Sequence, residues 1–156
     1  MFKKKANNNS PRIINKTAKI SDTVIFDYGK DYNFKLGKNS QIRDYSVIEM
    51  HGKLDIGDNC VIGTHSWLQA SGRITLEEDV IIGSKCNIVS SEHDKYKRPF
   101  FSTPLILGEI YIKKHVWIGA NVTILNNVTI GSNVIIGANS VAVSYTHLTL
   151  PTKRIV

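Results

Sequence analysis

The sequence predicts a parallel β-helix built of triangular coils, and three observations carry that prediction. Ile112, Ile118, Ile124, Ile130 and Ile136 stand six residues apart, and Ala142 falls on the same beat. A small or β-branched residue recurs four positions after each isoleucine, as Val116, Val122, Val128, Val134 and Ser140. Gly119, Gly131 and Gly137 recur one position after. A period of six is neither the 3.6 of an amphipathic helix nor the 2 of a plain strand. Self-similarity at a fixed period marks stacked repeats in which each unit buries its apolar face against the next.

The coils follow in order. Residues 1–13, beginning "MFKKKANNNS", are polar and basic, and read as a flexible arm. Ile14, Ile20 and Phe26 make the first group of three, and Leu36, Ile42 and Ile48 the second. Ile56, Ile62 and Leu68 follow, then Leu76, Ile82 and Ile88. After an interruption, Ile112, Ile118 and Ile124 form a fifth group, and Ile130, Ile136 and Ala142 a sixth. Three hexads per group imply a coil of three short strands. Gly, Asn and Asp are expected in the turns, where positive φ costs them least. Residues 14–142 thus read as one repeat domain of about six coils, with a loop extruded over about 93–109. The pattern alone leaves the hand of the coil open, although crossovers between parallel strands are generally right-handed.

Composition narrows the function. Of the 156 residues, 42% are hydrophobic and 21% charged, as in ordinary soluble domains. No apolar run reaches the roughly 18 residues of a membrane helix, so no integral membrane segment is expected. No apolar stretch follows the basic N-terminus as a secretory signal would require. Two cysteines, Cys60 and Cys86, are too few for a disulfide framework and fit a reducing, cytoplasmic setting. The net charge of +7 is scattered rather than striped and accompanies no nucleic-acid motif. No nucleic-acid partner is expected, while a phosphate-bearing cofactor would suit the charge equally well.

The stretch "IGANVTILNNVTIGSNVIIGANS" closely resembles the hexapeptide-repeat transferases, and the likeness covers most of Ile14–Ala142. "HDKYKRPF" followed by "GEIYIKKHVWIGANVTIL" resembles the branch of maltose, galactoside and polysaccharide O-acetyltransferases. The resemblance implies a left-handed β-helix, a homotrimer, and a cleft between subunits partly covered by the extruded loop. It implies transfer of an acetyl group from acetyl-CoA to a hydroxyl of a sugar or polysaccharide precursor, without a metal. N-acetylation of a nucleotide-linked amino sugar is the nearest alternative. A non-catalytic β-helix scaffold is a rival of another class. A carbonic anhydrase of similar shape is a second, but it would need three histidines on zinc, and no closely spaced pair exists here.

Acetyl transfer from a thioester needs a base for the hydroxyl proton, donors for the oxyanion and held attack geometry. His93 matches the family's catalytic histidine at the exit from the coil, and histidine titrates near working pH. Glu92 and Asp94 read either as groups that orient the imidazole or meet the acceptor, or as solvated loop charges. His65 falls by spacing near the family's acceptor-binding asparagine, and otherwise reads as a turn histidine. Trp67 reads as a wall of the same site or as a corner residue. Trp117 and Gly119 belong to "VWIG", where the tryptophan would flank the pantetheine arm. Ala120 and Ala138 match positions whose backbone runs along coenzyme A. His115 and His51 read as turn residues. Cys60 and Cys86 occupy the small-residue slot with no base beside them, which favours direct transfer in a ternary complex over an acyl-enzyme.

Beyond Ala142 the repeat fails into "VSYTHLTLPTKRIV". Val143–Thr152 resembles the translation of a transposon-end sequencing adapter. Residues 143–156 are therefore expected to be a non-native tail, and His147 and Lys153 carry no functional argument.

Overall fold

A computed structural model describes residues 12–144, and the expected arm and tail lie mostly outside that range. The first coil comprises β1 (Arg12–Ile14), β2 (Lys19–Ile20) and β3 (Ile25–Tyr28). The second comprises β4 (Asn33–Leu36), β5 (Gln41–Ile42) and β6 (Val47–Met50), and the third β7 (Lys53–Ile56), β8 (Val61–Ile62) and β9 (Trp67–Ala70). The fourth holds β10 (Arg73–Leu76), β11 (Val80–Ile82) and β12 (Asn87–Val89). A hairpin of β13 (Ser91–His93) and β14 (Leu105–Leu107) follows. The fifth coil is β15 (Glu109–Ile112), β16 (Val116–Ile118) and β17 (Thr123–Ile124), and the sixth β18 (Thr129–Ile130), β19 (Ile135–Ile136) and β20 (Val141–Ala142). Stacking gives three six-stranded sheets, each running through all six coils. Sheet A takes the first strand of every coil, sheet B the second and sheet C the third.

The pairing is parallel and keeps the six-residue beat in register. Leu36 sits on Ile14 and Ile56, Ile42 on Ile20 and Ile62, and Ile48 on Phe26 and Leu68. The same ladders reach Ile130, Ile136 and Ala142. They form one continuous buried core. Each additional buried aliphatic contributes about 1.5–3 kcal/mol. The first strand begins at Arg12 rather than Ile14, because Arg12 and Ile13 already pair with Phe34 and Lys35.

The corners differ from expectation in one respect. Among the described residues no glycine has positive φ. The left-handed conformation falls instead on the residue three positions after the core aliphatic, mostly asparagine: Asn39, Asn59, Asn121, Asn127, Asn133 and Asn139. The glycines serve close packing between coils. A Cβ on Gly119 would lie 2.6 Å from the Ala138 nitrogen, and one on Gly83 would lie 2.7 Å from the Gly119 carbonyl carbon.

The small-residue slot also carries hydrogen bonds between coils. Ser40 Oγ donates to Gly57 O (2.7 Å) and accepts from the Cys60 amide (2.9 Å). Cys60 Sγ donates to Glu77 O and Cys86 Sγ to Gly119 O. Both thiols are free and buried, and burial pushes their pKa up, that of Cys60 to about 11. Among the described residues no helix is long and apolar enough to cross a membrane.

Candidate functional site

Among the described residues a hairpin breaks the regular coil at one place, the corner joining sheet C to sheet A. There the chain leaves after Ser90, runs out along β13 and returns along β14, with Ser91 opposite Leu107, Glu92 opposite Ile106 and His93 opposite Leu105. The Gly108 amide donates to Ser90 O (2.8 Å), so the coil closes beneath the excursion. Ser90 Oγ accepts from the Gly72 amide and donates to Gln69 O. The excursion therefore starts about two residues earlier than the expected exit at 93, and His93 lies within the hairpin rather than at its root.

His93 is exposed, and its ring packs on Phe100 at a centroid distance of 5.9 Å. The Arg98 guanidinium covers that phenylalanine at 3.8 Å and donates to Lys95 O and Lys97 O. Among the described residues nothing hydrogen-bonds the His93 imidazole. Asp94 serves its own turn, accepting from the Tyr96 amide (3.0 Å) and pairing with Lys97 (3.5 Å). Glu92 is exposed on the outgoing strand.

The other expected site residues lie elsewhere on the prism. Trp117 projects from the outer face of sheet B, half-exposed, between Ile81 and Ile135. Gly119, Ala120 and Ala138 lie on the corner joining sheets B and C, where Ala120 O accepts from the Asn139 amide (3.0 Å). His65 occupies the same corner two coils above Ala120, in the left-handed conformation, its ring packed against Tyr45 at a centroid distance of 5.1 Å and tilted by 31°. Trp67 is half-buried on the outer face of sheet C, between Val47 and Asn87. His115 caps the A–B corner and contacts Asp79 through Nδ1 (2.9 Å), and His51 pairs with Asp27 (3.6 Å). A shallow open depression lined by Glu109, Tyr111, Asn127 and Thr129 lies on sheet A, away from Trp117.

One protomer thus does not gather the expected residues. In a three-sided coil the C–A corner, which bears His93, stands opposite side B, which bears Trp117. Both regions expose large apolar side chains. The hairpin exposes Tyr96, Phe100, Phe101, Leu105, Ile106 and Leu107, and side B exposes Ile81, Trp117 and Ile135. Sheet A, by contrast, carries the ion pairs Lys53–Asp55 and Arg73–Glu109.

Residues 109–142 match the family model described as bacterial transferase hexapeptide (six repeats). Those residues are the fifth and sixth coils of the stack. No curated protein sequence matches the chain. Among solved structures, the chain resembles AntD, an N-acyltransferase from Bacillus cereus, in complex with dTDP and 3-hydroxybutyryl-CoA. The identity is 27%, the TM-score 0.70, and the match covers 81% of this chain and 70% of that one. It also resembles a hexapeptide-repeat containing acetyltransferase from Vibrio cholerae, at 31% identity and a TM-score of 0.63, covering 69% of this chain and 61% of the other. A structure of that type from Vibrio cholerae O1 biovar eltor in complex with acetyl coenzyme A matches at 25% identity and a TM-score of 0.53, covering 75% and 59%.

The residues that sequence reasoning passed over are Phe100 and Arg98, which back His93, and Tyr45, Arg43 and Lys85 near His65. Arg98 and Phe100 carry no pattern of their own. Tyr45 and Lys85 do, because they stand in a slot filled elsewhere mainly by asparagine.

Proposed function

We propose that the chain is an acetyl-CoA-dependent acyltransferase acting on a sugar, with His93 as the general base and direct transfer in a ternary complex. The observation that carries this reading is the hairpin that interrupts the stacked coils among the described residues, with a histidine on its outgoing strand. A flat stacked wall offers no enclosure, and an excursion from it makes one side of a cleft. Two of the matched structures bear coenzyme A derivatives, which supports the same donor here. In this reading Trp117, Gly119, Ala120 and Ala138 line the pantetheine path, while His65, Trp67 and Asp94 lie toward the acceptor. His93 accepts the acceptor's proton as the new bond to the acetyl carbon forms, and the coenzyme A thiolate departs. The acceptor group is a sugar hydroxyl. An amine on a nucleotide-linked amino sugar is the second reading, favoured by the likeness to the Bacillus cereus N-acyltransferase.

The same reading makes the protein a homotrimer of left-handed coils. A corner-to-opposite-face contact is heterologous, and such contacts close into rings when the rotation allows. Packing one protomer's hairpin against the next protomer's side B covers both apolar surfaces and brings His93 toward Trp117. Acetyl-CoA turnover with a panel of sugar hydroxyl and amino-sugar acceptors tests the assignment. Absence of transfer and of thioester hydrolysis with every acceptor, in a protein that is folded, overturns it.

A further inference from the structure

The corner joining sheets B and C changes character halfway along the stack. In the fifth and sixth coils its left-handed residues are Asn121 and Asn139, beside Ala120 and Ala138. In the second, third and fourth coils they are Tyr45, His65 and Lys85, with φ of 58°, 57° and 59°. The backbone holds this slot left-handed whatever its side chain. The amides of His65, Lys85, Asn121 and Asn139 donate to the coil above through Asp44 O, Thr64 O, Ser84 O and Ala120 O, and that of Tyr45 to Thr23 Oγ1. Asparagine, aspartate and histidine tolerate such a φ, whereas tyrosine and lysine adopt it only with strain. The two strained choices, Tyr45 and Lys85, stand on either side of His65 on one ridge, and strain retained in one place points to use.

We propose that Tyr45, His65 and Lys85, with Arg43, form the subsite for the nucleotide diphosphate of a nucleotide-linked sugar acceptor. This rests on the acyltransferase reading above and names its substrate class. Tyr45 is 58% exposed and is backed by the His65 ring, so its free face offers a platform for a planar base. Lys85, one rung below His65, and Arg43, one rung above it, are exposed cations suited to a diphosphate. Arg43 stands where the following coils carry Gly63, Gly83 and Gly119. Two acids lie on this ridge: Asp22, exposed on the first coil, and Asp44, which is turned to that coil, where its carboxylate accepts from the Ser21 and Thr23 hydroxyls. The small lower rungs, Ala120 and Ala138, suit a close-lying donor chain. The two ligands then approach along one ridge from opposite ends.

The test titrates thymidine diphosphate and, separately, coenzyme A into the full chain by calorimetry. It compares the parent with Tyr45→Asn, Lys85→Asn and the control His115→Asn, which places asparagine in the same slot on another corner. Thymidine diphosphate should bind the parent. Each ridge variant should weaken it about tenfold, the size expected for losing one charged or stacking contact, while raising the melting temperature. Coenzyme A affinity should stay level, and His115→Asn should leave both ligands unaffected. Unchanged diphosphate affinity in the ridge variants, or no binding to the parent, overturns the proposal. So does a parallel loss of coenzyme A affinity, which would assign the ridge to the donor. If thymidine diphosphate binds as described but coenzyme A does not bind at all, the ridge stands and the acyltransferase reading falls.

Discussion

Gly119 and Gly131 occupy the same slot of the six-residue repeat, yet a methyl group should act on them in opposite directions. At Gly119 the new Cβ meets the Ala138 nitrogen at 2.6 Å, and neither backbone can move without breaking the bond from the Gly119 amide to Ile136 O. Gly119→Ala should cost about 1–3 kcal/mol, the range for overpacking. At Gly131, in the last coil, the nearest atom is Val134 Cγ2 at 3.9 Å, and φ is ordinary. Gly131→Ala should stabilise by about 0.4–1 kcal/mol through the unfolded state. Denaturant melts of the two variants decide this, and equal shifts would refute the packing account. The recurrence of these glycines was plain in the sequence, but their purpose was misread as turn geometry, because only the stacked coil shows what lies beneath each one. The thiols make a second residue-scale case. Cys60 titrates near 11 when folded, against 9.0 when free. Its contribution to stability is complete below pH 9 and is lost as pH rises through 11. Cys60→Ser, whose hydroxyl can donate to Glu77 O as the thiol does, should flatten that alkaline loss in melts taken from pH 8 to 11. For catalysis, His93→Ala should lower acyl transfer by about 10²–10⁴-fold, with melting unchanged. His115→Asn should leave transfer intact, and a loss there equal to that of His93→Ala would mean the wrong histidine was chosen.

At the scale of elements, the ladders were legible because each core position is a lone aliphatic on a constant beat. Every group of three read from the sequence appears as one coil, in the pairing order expected. The hairpin was legible only as an interruption. Its departure after Ser90 was hidden because Ser91, Glu92 and His93 continue an extended backbone, and no residue there breaks a strand. What marks the junction is spatial: the Gly108 amide on Ser90 O, and Ser91 Oγ on Gln69 Oε1 (2.9 Å). Because the coil is already closed across Ser90 and Gly108, the hairpin adds little to the core. Replacing residues 92–106 with a short Asn-Gly linker should therefore leave the melting temperature within a few degrees of the parent and abolish transfer. A collapse of the fold would show that the excursion supports the solenoid. Unaltered transfer would remove both His93 and the hairpin from the site.

At the scale of the whole molecule, the three sides of the prism have unlike surfaces, and the sequence concealed this because outward residues follow no beat. Side A is crossed by ion pairs and is suited to water. Side B carries the in-register run Val61, Ile81, Trp117, Ile135, three of them exposed large apolar groups, and the hairpin on the opposite corner carries six more. Apolar clusters of this kind mark contact surfaces, and the two cannot meet within one protomer. The proposed ring satisfies both at once and completes the cleft, so assembly and activity should fail together. Ile81→Glu combined with Ile135→Glu places two charges on the outer face of side B without entering the core, and the solenoid itself should fold as before. Sedimentation should show a trimer for the parent and a monomer for the double variant, and acyl transfer should vanish with the trimer. His93→Ala offers the complementary control, inactive yet trimeric. Mixing it with the double variant should restore little activity, because the intact His93 hairpins sit on chains whose own side B no longer accepts a neighbour and a closed ring cannot form. A parent that sediments as an active monomer, or a monomeric double variant that retains transfer, would show that a single chain encloses its own site by a route other than the one argued here.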